Sequence, residues 1–387
     1  MQRTGGPMDH GELQGNAMRG AFWMFIALAA AVAAFPAQAA DVIEIAAIYA
    51  LTGEATDTNA TSVRGVRIAV EEINARGGVL GRRLRLEIHD NRSTPIGSHL
   101  AAERAADSDA VAILGASRSP HSLPIAKVAQ ARGVPMITNH STDPDITRVG
   151  NCIFRVCFTD EVQGAALARF AREDLKASTA TLFVNLASEY STGICQVFQK
   201  HFEQLGGRVI LVREYKSRQR DFEDLVRDAG RVQADVLFLS GYDESGLIAV
   251  LAQDKGVTSK FVGGDGLANP SFLAKGGDRL KRAYYSSHWT PAMDSRRSRE
   301  FTARYGDVPD FGTGTALAYD AVMVLADAIK RAGSAERGRI RAALAETRSF
   351  EGVTGVISFN GHGDPVKSVV IMEVRDGRPH YLKTMLP

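Results

Sequence analysis

Short runs rich in Val, Ile, Leu and Phe alternate along the chain with amphipathic stretches, and this alternation predicts a βαβα series. Strands are predicted at 42–49, 84–89, 111–114, 135–138, 153–156, 181–184, 209–213, 236–240 and 260–262. Between the first two, residues 61–75 set Val63, Val66, Ile68, Val70 and Ile73 on one helical face, and Gly77-Gly78 stops the helix. Further helices are predicted at 96–107, 123–132, 161–173, 193–205, 221–229 and 244–255. Such a series gives parallel sheets covered by helices on both faces. After Lys260 the alternation weakens into a strand at 283–287, helices at 295–305, 313–332 and 335–345, and terminal strands at 355–359, 368–375 and 381–384, with Asn360-Gly361 as a turn. These segments hold too few strands for a third doubly wound domain, so they complete two lobes, and several chain crossings between the lobes form a hinge.

The 387 residues suffice for two or three domains. With 45% hydrophobic and 23% charged residues, general disorder and a multi-span membrane protein are excluded. The net charge of +2, from 46 basic and 44 acidic residues, argues against a nucleic-acid partner, and Arg82, Arg83 and Arg85 read as a solvated turn and strand face. The uncharged run from Ala21 to Phe35, followed by Pro36 and Ala37-Gln38-Ala39, reads as a secretory signal cleaved after Ala39. That run is shorter than the ~20 residues that span a bilayer. A released product is therefore expected, with Met18 as an alternative start. Three cysteines remain, Cys152, Cys157 and Cys195, and the expectation is buried free thiols rather than a disulfide framework.

The chain lacks GxxxxGK[ST], HExxH and GxSxG motifs. Gly312-Thr313-Gly314 follows no strand, which argues against a dinucleotide site, and His362-Gly363-Asp364 reads as a hairpin turn rather than a metal site. No catalytic residue, metal or cofactor is assigned. Polar loops at the carboxyl ends of predicted strands are the candidates for ligand binding, because open α/β sheets place their ligands there. The loop from Gly115 to Pro120 offers hydroxyls and backbone N–H groups to a carboxylate, although Ser119 before Pro120 also suits a plain helix cap. Residues Asn139 to Pro144 form a second polar loop. Ser188-Glu189-Tyr190, Gly241-Tyr242-Asp243 and Gly263-Gly264-Asp265-Gly266 follow strands of the second series. Asp265 reads either as a turn residue or as a carboxylate placed to meet an ammonium group.

The order VIEIAAIYALTG, GVRIAVEEINARGGVLGRRLRL, AILGASRSPHSLPIA, GVPMITNHSTDPDIT and GGDGLANPSF resembles the periplasmic leucine/isoleucine/valine-binding protein family of ABC importers, over nearly all of residues 41 to 387. The resemblance implies a type I periplasmic binding protein fold: α/β, with two doubly wound parallel-sheet lobes joined by a three-segment hinge and closing on a ligand. It carries a carboxylate-binding serine onto Ser119, and a loop for the α-carboxylate and ammonium onto His140, Ser141 and Thr142. An aromatic wall falls on Tyr190 and Tyr242, and the ammonium-binding acid falls on Asp265. Here Asp stands where amino-acid binders of the family often have Glu, so a displaced ligand or a bridging water is expected. Thr58 and Asn59 replace the aromatic residue of the branched-chain binders, which implies a wider or more polar side-chain pocket. The family's occasional disulfide is absent, since its positions hold residues such as Asn91 and Arg118. Arg118 either aids an anionic ligand or faces solvent, and His140 is expected to touch the ligand through its backbone alone.

The expected molecule is a periplasmic, non-catalytic, monomeric receptor that captures a small amino acid, branched-chain or related, and delivers it to an ABC transporter permease. The expected division is an N-terminal extension and signal over 1–39, a first lobe of 40–157 plus 289–350, and a second lobe of 158–288 plus 351–387. Two alternatives stand beside it. One is a sensor of the same fold for amides, urea or aromatic acids, and the other is a secreted hydrolase using His121 near Ser119.

Overall fold

Apart from Glu44, apolar side chains fill both faces of β1 (Val42–Tyr49), which is buried from Ile43 onward, as a central parallel strand under two helical layers requires. The computed structural model describes residues 1–2, 4–6, 42–216, 219–306 and 312–386. The signal segment expected before Ala40 lies outside the described residues, apart from residues 1–2 and 4–6 of the extension ahead of it. Among the described residues no helix is long and apolar enough to cross a membrane.

The first sheet is all parallel, in the order β2 (Arg83–Asp90), β1, β3 (Ile113–Gly115), β4 (Met136–Thr138), β5 (Ile153–Arg155). Its reversal of direction between β1 and β3 is a switch point, where loops diverge and leave a crevice. Helix α1 (Thr56–Ala75) starts at Thr56 rather than at 61, and its Val66, Ala69, Val70 and Ile73 are buried. It ends where Gly78, at φ +79°, takes a conformation in which a Cβ would meet the Arg82 carbonyl at 2.0 Å. Helices α2 (Pro95–Asp107) and α3 (Ser119–Ala131) cover the other face, and the short α4 (Asp145–Arg148) precedes β5.

The second sheet repeats the same local order with β7 (Arg208–Tyr215), β6 (Thr179–Asn185), β8 (Val236–Leu239), β9 (Lys260–Gly263) and β10 (Ala283–Ser287), all parallel. Helices α5 (Asp160–Glu173), α6 (Glu189–Gln204), α7 (Glu223–Val232), α8 (Glu244–Asp254) and α9 (Pro270–Gly276) belong to this lobe. Thr159, Ser188 and Asn269 cap α5, α6 and α9 by accepting from the backbone N–H groups of Val162, Ser191 and Phe272.

The rest of the chain serves both lobes. Helices α10 (Arg296–Tyr305), α11 (Thr313–Ala332) and α12 (Arg337–Ala345) return to the first lobe, and Leu317, Ala321, Val324 and Leu325 of α11 join the core beside α1. Gly65 lets α1 and α11 approach closely, since a Cβ there would lie 2.3 Å from the Thr315 carbonyl oxygen. The antiparallel hairpin β11 (Phe350–Gly352) and β12 (Gly355–Ile357) also packs there, with Val353, Ile357 and Phe359 in the first core. The expected division at 350/351 thus falls inside β11, a strand missing from the sequence reading. Strands β13 (Val369–Arg375) and β14 (Arg378–Met385) then extend the second sheet beyond β10 as an antiparallel edge. That edge departs from the all-parallel expectation: β13 runs antiparallel to β10, and the tight turn at Asp376-Gly377 makes β14 antiparallel to β13.

The chain passes between lobes after β5, after β10 and after β12, and buried charges brace the passages. Arg155, with no exposed side-chain surface, donates from Nε to Asp364 at 2.6 Å, and Lys367 donates from Nζ to the Val156 carbonyl at 3.0 Å.

Candidate functional site

Loops at the carboxyl ends of β1, β3 and β4 in one lobe face those after β6, β8 and β9 in the other, and between them lies a cavity. Thr58, Ser117, Arg118, Ser119, His140 and Thr142 line it from the first lobe, and Tyr190, Tyr242 and Asp265 from the second. Thr61, Ala268, Asn269 and Pro270 complete the wall.

The first-lobe loops are fixed from behind by hydroxyl and amide networks. Ser117 Oγ and Ser62 Oγ are 2.9 Å apart, Asn139 Nδ2 donates to Ser62 at 2.9 Å, and Tyr49 donates to Asn139 at 2.9 Å. Ser119 opens α3 rather than ending a loop, and its hydroxyl accepts from the Asp143 N–H at 3.3 Å. Ser141 needs correction as a wall residue. Its hydroxyl turns into the lobe, 2.7 Å from Ser122 Oγ and donating to the Ala116 carbonyl at 3.1 Å, because alternate loop side chains point to opposite sides. Arg155 holds the same loop by donating to the carbonyls of Ser141 and Asp143 at 2.7 and 2.8 Å.

On the second lobe, Tyr190 sits in the first turn of α6 and stacks on Tyr242 with ring centroids 5.3 Å apart. Its hydroxyl accepts from the Gly266 N–H at 3.0 Å. Asp265 begins a buried 3-10 turn, Asp265–Leu267, instead of riding on a flexible loop. Gln163 Nε2 donates to its Oδ1 at 2.9 Å, and His288 Nε2 approaches Oδ2 at 2.9 Å. His140 corrects the backbone-only expectation. Its imidazole lines the cavity with Nε2 3.5 Å from Asp265 Oδ2, buried and without a hydrogen-bond partner.

Two nearby carboxyls are pushed in opposite directions. Burial pushes Asp160 well up, and the neighbouring charge of Asp265 adds to this. Burial also works against the charged form of Asp265, but the His288 hydrogen bond, followed by the two imidazoles and Gln163, holds it below its ordinary value. Burial lowers His288 to about 4 and lowers His140 too. At neutral pH the cavity therefore carries an ionised Asp265 held by neutral donors. No lysine or arginine among the described residues pairs with it.

His140, Asp265 and His288 present ligand atoms within 4.8 Å of one another, the donor chemistry of a divalent transition-metal site. The short contact to the Asp265 carboxylate assigns a proton to His288 Nε2, and a protonated ring nitrogen does not coordinate. His288 was missed in the sequence, although it follows β10 just as the other site residues follow their strands. Arg118 corrects the solvent-facing alternative, since its guanidinium lies 4.2 Å from the centroid of the Tyr242 ring within the wall.

His288 makes the protein's stability acid-sensitive. Its folded pKa of about 4 lies below the ordinary histidine value of 6.5, so as pH falls through that window the unfolded chain takes up a proton that the folded chain refuses. The contribution is whole above pH 6.5 and is lost toward pH 4, up to about 3 kcal/mol at 1.36 kcal/mol per pH unit. Urea titrations across this range should show a shallower loss of stability in His288→Gln than in the parent. Equal slopes would remove His288 as the cause.

A family model described as periplasmic binding protein matches residues 42–379. A leucine-, isoleucine-, valine-, threonine- and alanine-binding protein from Pseudomonas aeruginosa is 29% identical over 350 residues, covering 88% of this chain and 92% of the relative. Among solved structures, the leucine-binding protein LivK of Thermotoga maritima superposes with a TM-score of 0.85 at 34% identity, covering 89% of this chain and 99% of LivK. LivJ of Streptococcus pneumoniae, a branched-chain amino acid transporter substrate-binding protein solved with isoleucine, superposes with a TM-score of 0.84 at 26% identity, covering 90% of this chain and all of LivJ, 100%.

Proposed function

The chain belongs to the periplasmic binding protein family, a family of solute-binding proteins and not of enzymes, and from that premise we propose that it is an amino-acid receptor of an ABC importer. It encloses an α-amino acid, branched-chain or related, between the lobes and presents the closed form to a membrane permease. The observation that carries this reading is the ionised, buried Asp265, without a lysine or arginine partner among the described residues, on the wall of a cavity lined by both lobes. A buried anion gains most from a cation that arrives with hydrogen-bond donors, and an ammonium group is such a cation.

In this reading the hydroxyls of Ser119 and Thr142 hold the α-carboxylate while Asp265 takes the ammonium, and the stacked Tyr190 and Tyr242 form the second-lobe wall. Amino-acid relatives with good coverage support that choice of ligand class. A ligand touching both lobes stabilises the closed state selectively, which is how it shifts the equilibrium between open and closed forms. Secretion through the segment before Ala40 places the receptor in the periplasm, where it meets the permease as a monomer.

A thermal-shift screen of protein refolded to strip carried-over ligand tests the proposal. An α-amino acid at 100 times its dissociation constant should add about 2.7 kcal/mol of stability. Stabilisation by amides or aromatic acids alone would overturn the ammonium role of Asp265.

A further inference from the structure

The guanidinium of Arg118 is part of the cavity wall, yet two of its nitrogens make no hydrogen bond. Its Nε and Nη2 are buried without a hydrogen-bond partner. The neighbouring carboxylate of Asp243 stays 3.5 Å away, beyond a good hydrogen bond, and is itself engaged by Lys275. Unmade donors on a buried cation are costly, and the planar fork of a guanidinium matches a carboxylate through two parallel bonds.

The surroundings point the same way. Thr58, Thr61, Ser117 and Asn269 line the same cavity but bond within their own lobes, which leaves Arg118 as the group there with donors to offer. A purely aliphatic ligand side chain would cover the Arg118 guanidinium without repaying its lost hydration. Arg118 also lies apart from the anionic end of the cavity. It covers Tyr242, Tyr242 stacks on Tyr190, and Tyr190 in turn meets Gly266 next to Asp265. The tyrosine pair thus separates a cation from an anion, an arrangement suited to a ligand charged at both ends.

We infer that the ligand is an acidic α-amino acid whose side-chain carboxylate is held by Arg118 while its ammonium meets Asp265. This rests on the amino-acid receptor reading and narrows it.

Calorimetry on ligand-stripped protein with glutamate, glutamine, aspartate, asparagine and leucine tests it, because each acid and its amide differ in charge at nearly constant shape. One of the two acids should bind at least tenfold more tightly than its amide. Arg118→Gln should shrink that ratio to threefold or less, and Arg118→Lys should keep part of it. Melting curves of the free variants establish that they fold; if Arg118→Gln does not, the parent's acid-to-amide ratio and Arg118→Lys decide the matter. Amides or leucine binding as tightly as the acids would overturn the inference and leave the receptor reading standing. An equal loss of all five ligands in Arg118→Gln would also overturn it, assigning Arg118 to the α-carboxylate. Binding of glutarate with no binding of any amino acid would sink both.

Discussion

Asp265→Ala is expected to weaken amino-acid binding by more than about 2 kcal/mol, a loss of roughly 30-fold or more, when measured by calorimetry at neutral pH. The carboxylate is buried, ionised and held by Gln163 and His288, so no reorganisation is needed to receive a cation. Asp265→Asn separates charge from shape. It keeps an oxygen for His288 and the size of the side chain, and it should still lose most of the affinity. Without ligand, Asp265→Asn should melt below the parent, because the fold favours the ionised carboxylate and the amide has one oxygen for the two donors Gln163 and His288. Unchanged affinity in the asparagine variant would mean that the ammonium sits elsewhere.

Arg155→Ala is expected to cost about 3–5 kcal/mol of unfolding free energy in a denaturant titration, the usual range for breaking a buried pair from one side. Arg155 is fully buried and holds Asp364, the carbonyls of Ser141 and Asp143, and the Thr147 hydroxyl, which itself donates to Asp364 at 2.9 Å. Removing it strands an anion and several acceptors together. Arg155→Lys should rescue little, because one ammonium cannot reach the positions of a forked guanidinium. Arg148, exposed and paired with Asp145 and Glu161, is the contrast, and its alanine variant should lose less than about 1 kcal/mol. A similar small loss at Arg155 would show that its network does not hold the loops. Because that network positions His140 and Thr142, ligand affinity should fall along with stability.

Much of this was legible from the sequence because hydrophobic period and strand-end loops are local signals. The alternation located the strands of both parallel series, and the loops after them contained Ser119, Thr142, Tyr190, Tyr242 and Asp265, which the structure gathers around one cavity. What was missed depends on contacts distant in sequence. Helices α3 and α6 begin directly at Ser119 and Glu189, so residues read as loop members stand in first helical turns. β11 is a short strand whose identity comes from pairing with β12. The inward turn of Ser141 is dictated by Ser122 and the Ala116 carbonyl, and the imidazole of His140 is drawn toward an acid 125 positions later (265 − 140). Arg118 looked like a surface residue because the Tyr242 ring beneath it comes from the other lobe.

The close seating of α11 on α1 at Gly65 bears on how the chain acquires its structure. One helix spans Thr56–Ala75 and the other Thr313–Ala332, so the first lobe's core closes only after the second lobe's parallel strands have all been synthesised. Until then the apolar face of α1 has no partner, and a nascent chain cannot finish its domains in the order in which they are made. Contacts of such long sequence separation slow folding. The middle of the chain, with its five contiguous parallel strands from β6 to β10, is the part that can organise from its own residues first, and the two ends then assemble around it.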